Sequence, residues 1–440
     1  MKLNRVVVIG GSMAGLAAAA TLSSRAGEVV VVERHEAPAL PPQAGLPHAM
    51  LLSGYLVLNE LFPEIGRRLL ARGAEPGGSD PTRLACYWAA AGVVRRELRF
   101  TERGITRALC SRELIQEEVR ASVETLPNVR WRPDTVTEVI VRGGAVQGVG
   151  LRSGHSVEAD LVVDAGGRSG GVRLGSDVPE PPISEVGVDI RYTTFIVERR
   201  PGDLDGAALA VVQNTPSIPR MGIALPMEHG RWNVGFGTYF GQSAPTDLDG
   251  ARAYAAAALA DPVLAGLFDR PFLDGARRYL FRTGQRRHWE RLPHPVPGYV
   301  AVGDSVASFN PIYGQGMSSA LLQVRELGRL VDRHGGGRAL AAAAPKAIAR
   351  VVDAPWQIST GADFMYNQTV GARPRGQDRI NSYVTRVMRA AAVDDRVNLA
   401  FTSVSQLLAP PAALFAPPVL GRVLRHGSVP AAPVRRTILA

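Results

Sequence analysis

The sequence contains few residues of the kinds that build disulfide frameworks or metal sites. Only two cysteines, Cys86 and Cys110, occur among its 440 residues. Their spacing matches no metal-ligand pattern, and together they cannot form the framework of a small secreted scaffold. The composition is typical of a protein in a reducing compartment. We therefore expect a cytoplasmic protein without a bound metal.

Lysine is almost absent, although the formal net charge is +10. Lys2 and Lys346 are the only lysines, and the remaining positive charge is carried by scattered arginines. No run of five or more basic residues occurs, and aromatic residues are not interleaved with basic ones as they are in single-strand binders. We expect no nucleic-acid partner. A basic surface of this kind favours an anionic cofactor or carrier.

Long apolar runs are also missing. The segment from Val6 to Leu22 follows two basic residues and resembles a signal peptide, but glycines interrupt it at Gly10, Gly11 and Gly15. No other stretch reaches the roughly 20 apolar residues of a membrane span. With 46% hydrophobic and 20% charged residues, the chain has the composition of a globular protein. We expect neither secretion nor a membrane span.

A compact β-α-β unit opens the chain. Residues 4–9 and 28–33 are short β-branched runs typical of buried parallel strands, and the Ala-rich residues 13–25 between them predict a helix. The crossover is expected to be right-handed. Residues 184–240 alternate like antiparallel strands, and residues 338–428 are mainly helical.

A dinucleotide fingerprint follows the first strand. It reads Gly10-Gly-Ser-Met-Ala-Gly15, with Ser12 in the place of the second glycine. This motif needs a tight turn, a close backbone approach to the pyrophosphate and a close helix-strand contact. The free N–H groups of the helix start then face the phosphates. Glu33 ends the next strand, where a carboxylate accepts hydrogen bonds from an adenosine ribose.

A second segment, nearly 300 residues after the fingerprint, is also typical of a flavin-binding protein. Gly298 to Gly303 form an apolar strand that ends in Gly-Asp, followed by a loop and a helix that begins near Gly316. Asp304 is a candidate for binding a ribityl chain, and the positive helix start favours negative charge on a reduced flavin. The pair of segments indicates an FAD protein rather than a simple NAD dehydrogenase.

The residues around this loop resemble a known family. The string Phe309-Asn-Pro-Ile-Tyr-Gly-Gln-Gly-Met-Ser-Ser319, the pair Ala14-Gly15, Arg112-Glu-Leu-Ile and Asp353-Ala-Pro-Trp356 are similar to class A flavin monooxygenases. The likeness is greatest to the flavin epoxidases of actinomycete polyether biosynthesis, and it spans nearly the whole chain. It implies that Arg112 contacts the FAD phosphates and that the backbone of Val136 contacts adenine. It also places Pro311 and Ile312 beside the isoalloxazine, as the positioning residues of the flavin edge.

The complete set of residues expected to bind the cofactor combines these arguments. It comprises Gly10, Ser12, Met13, Ala14, Gly15, Glu33, Arg34, Arg112, Val136, Asp304, Gly314, Gln315, Gly316 and Met317. No side-chain acid or base is assigned to catalysis.

Two segments depart from the family pattern. The usual Asp-Gly segment reads Asp164-Ala-Gly-Gly-Arg168, which leaves the binding mode of a nicotinamide reductant open. Pro42-Gln-Ala-Gly-Leu-Pro-His48 resembles a Pro-Gln-Ala-Arg-His-x-His segment, but Gly45 and Leu46 replace the Arg-His pair. The sequence leaves three roles for His48: capping a helix, packing in the core, or catalysis. The Trp-x-Trp-x-Ile-Pro segment and the active-site lysine of tryptophan-type flavin halogenases are missing, which argues against that activity.

The predicted fold is α/β, with a Rossmann-like FAD-binding domain interleaved with an antiparallel-sheet substrate domain, followed by C-terminal helices. The FAD-binding domain is expected over residues 1–75, 100–180 and 282–345. The substrate domain covers 76–99 and 181–281, and the helical region 346–440.

The resemblance implies a monooxygenase of secondary metabolism, such as antibiotic biosynthesis. Its reduced FAD captures O2 as a C4a-hydroperoxide and transfers one oxygen to a hydrophobic natural product, by epoxidation of an alkene. Such an oxidant is electrophilic already, so the protein supplies a dry, shaped pocket. Alternatives are hydroxylation of an aromatic or polyketide substrate, a non-redox cyclase with structural FAD, and a binding module.

The expected partners are a hydrophobic small molecule, free or tethered to a carrier, and NAD(P)H as the external reductant, with or without a flavin reductase. Candidate pocket residues are aromatic side chains of the sheet and of the later helices. They are Phe195, Trp232, Phe236, Trp356, Phe364 and Tyr366.

Overall fold

The computed structural model describes residues 3–35, 45–102, 106–168, 172, 174–175 and 178–428. Its helices are α1 Met13–Ser23, α2 Leu52–Leu61, α3 Ile65–Ala71, α4 Arg112–Glu124, α5 Leu248–Ala257, α6 Gly316–His334, α7 Gly337–Asp363, α8 Gln377–Ala391, α9 Asp395–Ser405 and α10 Pro417–His426. The first strands are β1 Leu3–Ile9, β2 Ala26–Glu33, β3 Glu75–Pro76, β4 Arg83–Ala90, β5 Val93–Arg99, β6 Ala108–Leu109, β7 Val129–Pro133, β8 Val136–Arg142, β9 Ala145–Leu151, β10 Ser156–Glu158 and β11 Leu161–Asp164. The later strands are β12 Ile183–Glu198, β13 Ala210–Val212, β14 Arg220–Met227, β15 Arg231–Thr238, β16 Arg277–Arg287, β17 Tyr299–Ala301, β18 Ala307–Ser308 and β19 Val370–Gly371.

A parallel sheet carries the N-terminal half of the fold. Within the described residues its strand order is β17-β11-β1-β2-β7, and every neighbouring pair is parallel. The central strands are short runs of valine, isoleucine and leucine that are buried almost completely, as strands covered on both faces must be. Helices α1 and α6 and the β8–β9–β10 meander pack into the same core. The predicted β-α-β unit is confirmed.

Residues 48–72 have a helical pattern in the sequence, and the structure forms two helices there. α2 ends at Leu61 and α3 begins at Ile65, with Phe62 and Pro63 between them. Proline has no N–H to donate to the preceding turn, and it disfavours helical backbone at the residue before it. The break therefore follows from Pro63.

A second, larger sheet has the order β18-β16-β12-β15-β14-β13-β4-β5 among the described strands, with β19 beside β12. Its ladders are antiparallel except for β13 and β4, which pair in parallel. This one pairing departs from the purely antiparallel sheet expected from sequence. The two sheets and the C-terminal helices confirm the predicted fold class, whereas the exact domain limits stay a prediction.

The two faces of the large sheet have different surroundings. Cross-strand partners share a face, and Phe195, Trp232 and Phe236 lie on the one that packs against α5. We call this the outer face. Thr194 and Gly235 point the opposite way, toward the segment at residues 45–48. We call this the inner face.

The outer-face location bears on the candidate pocket residues. Phe195, Trp232 and Phe236 are fully buried, and Phe195 packs edge-to-face with Phe236 and Phe268 at ring-centroid distances of 5.6 and 5.4 Å. The indole N–H of Trp232 donates to Asp203 at 2.9 Å. These three rings therefore form a core and are not brought near the loop at Ile312.

The C-terminal helices pack on the β5 edge of the large sheet. α7 runs from the parallel sheet and ends at Asp363, and α9 packs on β5. α8, α9 and α10 share a small core of their own. Within the described part of the chain, no helix combines the length and apolarity that crossing a membrane requires.

The core location of Phe195 predicts the effect of its removal. Phe195→Ala leaves a cavity under α5, so we expect the free energy of unfolding to fall by about 3–5 kcal/mol in urea denaturation. Phe415→Ala is the control, because Phe415 is 46% exposed and its loss should cost well under half as much. Equal effects of the two substitutions would contradict the core assignment.

Candidate cofactor and substrate site

Three loops meet at the carboxyl edge of the parallel sheet. They follow β1, β11 and β17, which are neighbours in the sheet. The amide of Ala165 donates to the carbonyl of Ile9 at 3.0 Å, and the amide of Val302 donates to the carbonyl of Asp164 at 2.9 Å. Ligands of open parallel sheets bind in the crevice outside this edge. The structure therefore brings the fingerprint and the second Gly-Asp segment together at one edge of the sheet.

The fingerprint turn needs glycine at two positions for different reasons. Gly10 has a φ of +95°, a backbone conformation that favours glycine. A Cβ at Gly15 would overlap the carbonyl oxygen of Gly10, so α1 can approach β1 only with glycine there. Ser12 precedes the helix without capping it, and the first turn has no acidic residue. The helix start therefore keeps free N–H groups, beside Met13 and Ala14.

Glu33 closes this turn from the end of β2. Its Oε2 accepts a hydrogen bond from the Gly11 amide at 2.6 Å, and its Oε1 accepts from the His35 amide at 3.0 Å. The neighbouring Arg34 is exposed. Val136 begins β8 two residues after Asp134, whose amide donates to the Glu33 carbonyl at 3.0 Å. The structure thus brings Val136 to the same end of the sheet as Glu33.

Arg112 reaches the fingerprint from α4. It follows the N-cap Ser111, whose hydroxyl accepts from the Leu114 amide, so the helix start is firmly placed. Arg112 is only 8% exposed, and its Nη2 donates to Ser12 Oγ at 3.2 Å. Its Nε has no hydrogen-bond partner among the described residues. A guanidinium with a spare buried donor beside a helix start is suited to a phosphate.

His48 supports Arg112 in a defined tautomer. Its Nδ1 lies 2.7 Å from the Leu46 carbonyl, which can only accept, so Nδ1 carries the proton. The lone pair of Nε2 then faces Arg112 Nη1 at 3.5 Å. Burial, and next the charge of Arg112, lower the pKa of His48 to about 4. At neutral pH His48 is uncharged, donates through Nδ1 to Leu46 and accepts from Arg112 through Nε2.

Asp304 and the start of α6 form the other side of the site. Burial raises the pKa of Asp304, and the charges of Arg112 and Arg168 oppose the shift. Gln315, the residue before α6, is 2% exposed, caps nothing, and leaves its Oε1 without a partner among the described residues. Gly314, Gly316 and Met317 complete this turn. Arg168 was not singled out from sequence.

These groups fit a flavin dinucleotide. Two helix starts lack capping side chains and acidic residues in their first turns. Buried polar atoms at Arg112 and Gln315 have no partner within the described part of the chain. Buried polar groups are rarely left without a partner, so such atoms indicate a ligand or water that completes them.

The carboxylate of Asp164 joins the loop after β11 to the loop after β17. Asp164 is 2% exposed, and its Oδ1 accepts from the Gly166 amide at 2.9 Å and the Ser305 hydroxyl at 3.1 Å. Its Oδ2 accepts from the Tyr299 hydroxyl at 2.8 Å. Burial raises the pKa of Asp164 against these hydrogen bonds. The altered Asp-Ala-Gly-Gly segment therefore has a structural role that its string did not reveal.

A buried polar network fixes the loop of Pro311 and Ile312. Asn310 accepts from the Tyr192 hydroxyl at 2.8 Å and donates to Asp363 Oδ1 at 2.8 Å. The Tyr313 hydroxyl donates to the same Oδ1 at 3.0 Å. Pro311 and Ile312 lie between these anchors in a short 3-10 turn, and the ring of Tyr192 packs in one apolar cluster with Ile312. Sequence reasoning missed Tyr192 and Asp363, because they are distant in the chain.

Of the predicted helical pocket residues, one lies in the cluster around Ile312. Tyr366 stacks with Tyr239 at 5.1 Å and hydrogen-bonds Asn214 at 2.9 Å. Trp356 packs 6.4 Å from the ring of Phe309 at the edge of the parallel-sheet core. Phe364 is 2% exposed, with Arg373 stacked over its ring. The structure therefore brings Tyr366, but not Trp356 or Phe364, into that cluster.

The chain is similar in sequence to known proteins. A model of the family described as glucose inhibited division protein A matches residues 5–180. Protein Rv3254 of Mycobacterium tuberculosis is 29% identical over 452 residues, which cover 96% of this chain and 94% of that protein.

Solved structures show the same fold. That of p-nitrophenol 4-monooxygenase PnpA from Pseudomonas putida DLL-E4 is 18% identical, covers 93% of this chain and 100% of its own, and has a TM-score of 0.65. The Diels-Alderase PyrE3 of pyrroindomycin biosynthesis is also 18% identical, covers 92% and 80% of the two chains, and has a TM-score of 0.56. The chain therefore has the fold of FAD-dependent monooxygenases.

The buried network predicts a pH dependence of stability. Burial raises the pKa of Asp363 to about 7, against hydrogen bonds from Asn310 and Tyr313 that lower it, whereas an aspartate in the unfolded chain has a pKa of about 3.9. Between these values the folded chain binds more protons than the unfolded one. Ionisation of Asp363 therefore lowers the free energy of unfolding as the pH rises from about 4 to about 7.

Asp363→Asn keeps an acceptor oxygen but removes the titration. The quantity to follow is the free energy of unfolding of wild type minus that of Asp363→Asn. We expect this difference to fall by a few kcal/mol between about pH 4 and about pH 7 and to be constant above pH 7. Urea denaturation at a series of pH values measures the difference. Asp378→Asn, at an exposed position, should show no such trend. A pH-independent difference for Asp363→Asn would show that Asp363 is ionised throughout.

Proposed function

We propose that this chain is an FAD-dependent monooxygenase that transfers one oxygen atom from O2 to a hydrophobic natural product, by epoxidation of an alkene. The observation that carries the proposal is the convergence of two uncapped helix starts, Arg112 and Asp304 at one edge of the parallel sheet, directly beside the anchored loop of Pro311 and Ile312. The first part suits a dinucleotide, and the second suits a flavin edge that meets a substrate.

Each part of FAD has its own set of candidate binding residues. Glu33, with Arg34 and the backbone of Val136, would hold the adenosine. The start of α1 and Arg112 would hold the pyrophosphate, where a partial positive charge and a full one act together. Asp304 would hold the ribityl chain, and residues 311–317 would hold the ring system. Here His48 has a supporting role, because its Nε2 orients the guanidinium of Arg112.

FAD in its reduced form would supply the activated oxygen atom. The chain's own residues then bind, orient and exclude water. Tyr192, Asn310 and Asp363 keep the loop of Pro311 and Ile312 in one conformation. An alkene needs no side-chain nucleophile to accept an electrophilic oxygen, which agrees with the neutral tyrosine and asparagine groups behind the loop.

One observation favours a second function, a cyclase in which FAD is structural. Asp164 uses both carboxylate oxygens within the protein, so it has little capacity left for a nicotinamide. The fold is also shared with the Diels-Alderase PyrE3. If the chain is a monooxygenase, the alternative to epoxidation is hydroxylation of an aromatic or polyketide substrate. We propose NAD(P)H as the reductant, used directly or through a flavin reductase, in the cytoplasm.

The contact between Arg112 and the fingerprint predicts its effect on cofactor affinity. Arg112→Ala should weaken FAD by roughly 10- to 150-fold, because hydrogen bonds to charged groups contribute about 1.5–3 kcal/mol. The loss should be larger at low salt, since screening already weakens a charge-phosphate contact at high salt. Arg120→Ala on the same helix is the matched control, because Arg120 stacks on Trp131 and pairs with Glu124. Wild-type affinity of Arg112→Ala at every salt concentration would remove Arg112 from the cofactor site.

Oxygen labelling separates the two functions. A monooxygenase must place one atom of labelled O2 in its product and must require a reductant, whereas a cyclase must form product under nitrogen with oxidised FAD. The measurement is mass spectrometry of the product of the natural substrate, with an anaerobic arm that omits the reductant. Label in the product supports epoxidation or hydroxylation, which the product's structure then distinguishes. Unlabelled product formed without reductant would overturn the monooxygenase proposal.

A further inference from the structure

Arg95, on β5, is a buried cation without an anionic partner. It is 5% exposed, and no carboxylate of the described residues lies within ion-pair distance of it. Its Nη1 makes two long hydrogen bonds to neutral groups, Asn398 Oδ1 at 3.5 Å and Thr402 Oγ1 at 3.3 Å. Its Nη2 has no partner in the described part of the chain. Burial lowers the pKa of Arg95 only to about 10, so it is charged at neutral pH.

Two aromatic rings hold this guanidinium in a fixed position. Its central carbon lies 4.6 Å from the ring centroid of Trp88 on β4 and 4.9 Å from that of Phe401 on α9. Cation–π contacts of this kind are favourable, yet neither ring accepts the N–H groups at the edge of the guanidinium. A buried charge with an unmade hydrogen bond is costly and is usually completed by another group. The Nη2 donor of Arg95 is therefore available to an acceptor from outside the described residues.

Arg95 lies on the inner face of the large sheet. It pairs with Trp88, Trp88 pairs with Val211, Val211 with Ile223, and Ile223 with Gly235. Cross-strand partners share a face, so these positions form one row. A Cβ at Gly235 would touch Pro47, which precedes His48. The row thus leads from Arg95 to the segment that supports Arg112.

The middle of this row is not fully covered. The side chains of Val211, Ile223 and Trp88 are only partly buried. The indole N–H of Trp88 donates to Gln213 at 3.3 Å, so one further polar side chain joins the row. Small-molecule sites are lined mainly by apolar side chains with a few placed polar groups, and this row has that composition.

We propose that Arg95 recognises an anionic oxygen of the substrate, a carboxylate or an enolate, while the apolar body of the substrate lies along Trp88, Val211 and Ile223. The proposal rests on the proposed function in one respect, that the inner face is the substrate side. Arginine suits this role because its guanidinium stays charged when buried and donates in a plane. Arg95 would select the substrate and orient it, without taking part in the chemistry.

Binding of simple probes to the oxidised holoenzyme tests the proposal without turnover. The probes are 2-naphthoate, 2-naphthol and the neutral 2-naphthamide, each titrated by isothermal calorimetry. Wild type should bind an anionic probe more tightly than the amide, and Arg95→Met should weaken that probe by roughly 10- to 150-fold. 2-Naphthoate binding that is constant over about pH 6 to 9 indicates a carboxylate, and 2-naphthol binding that tightens as it ionises indicates an enolate-type oxygen.

Arg96→Met is the matched control on the same strand. The side chain of Arg96 is 58% exposed, pairs with Asp205 and lies over the ring of Tyr87 on the outer face. Its loss should therefore leave the affinities for all three probes unchanged. Should Arg95→Met fail to fold, Arg95→Lys keeps the charge but loses the planar donors, and it should weaken the anionic probe by about tenfold. Arg95 is purely structural if wild type binds no anionic probe, or if the variants bind it as wild type does. Because the oxygen-labelling result plays no part in these titrations, the two proposals fail independently.

Discussion

The close approach of three loops at the carboxyl edge of the parallel sheet is the constraint on which the rest of the structure depends. It is possible because glycine stands where side chains would collide, and because the buried carboxylate of Asp164 accepts hydrogen bonds from two of the loops and from the neighbouring strand β17. A buried carboxylate that ionises inside a core is costly, but three donors offset much of that cost. The geometry of the cofactor site therefore depends on a residue that need not touch the cofactor.

Sequence patterns identified the local parts of this site. The fingerprint, α1 and the start of α6 could be predicted, because the turn residues and the apolar periodicity lie within short segments. Which face of the large sheet lies toward the substrate could not be predicted. Whether Phe195 or Thr194 points to the substrate side depends on which neighbours cover each face, and those neighbours are α5 on one side and residues 45–48 on the other. Alternation gives two sets of residues without saying which set is inside.

Polar contacts between distant segments were missed for the same reason. His48 was open between three roles until Leu46 and Arg112 fixed its tautomer and its pKa. Asp363 gave no signal in the sequence, because its importance comes from Asn310 and Tyr313, some 50 residues earlier. Because the chain has only two lysines, arginine is the cation in these contacts. Several guanidinium groups also lie over aromatic rings, among them Arg120 over Trp131 and Arg199 over Trp232.

The parallel pairing of β4 with β13 has a consequence for how the chain assembles. The β4–β5 hairpin ends at Arg99, but its only sheet neighbour among the described strands begins at Ala210. During synthesis the hairpin must wait, with one edge unpaired, while more than a hundred residues that include β7 and β11 emerge. Its other surface is covered later still, when α9 arrives. Such long-range pairing slows folding and leaves an open strand edge exposed to other chains. β4, which forms this open edge, carries a single charged residue, Arg83, so the edge is prone to association with other chains until β13 pairs with it.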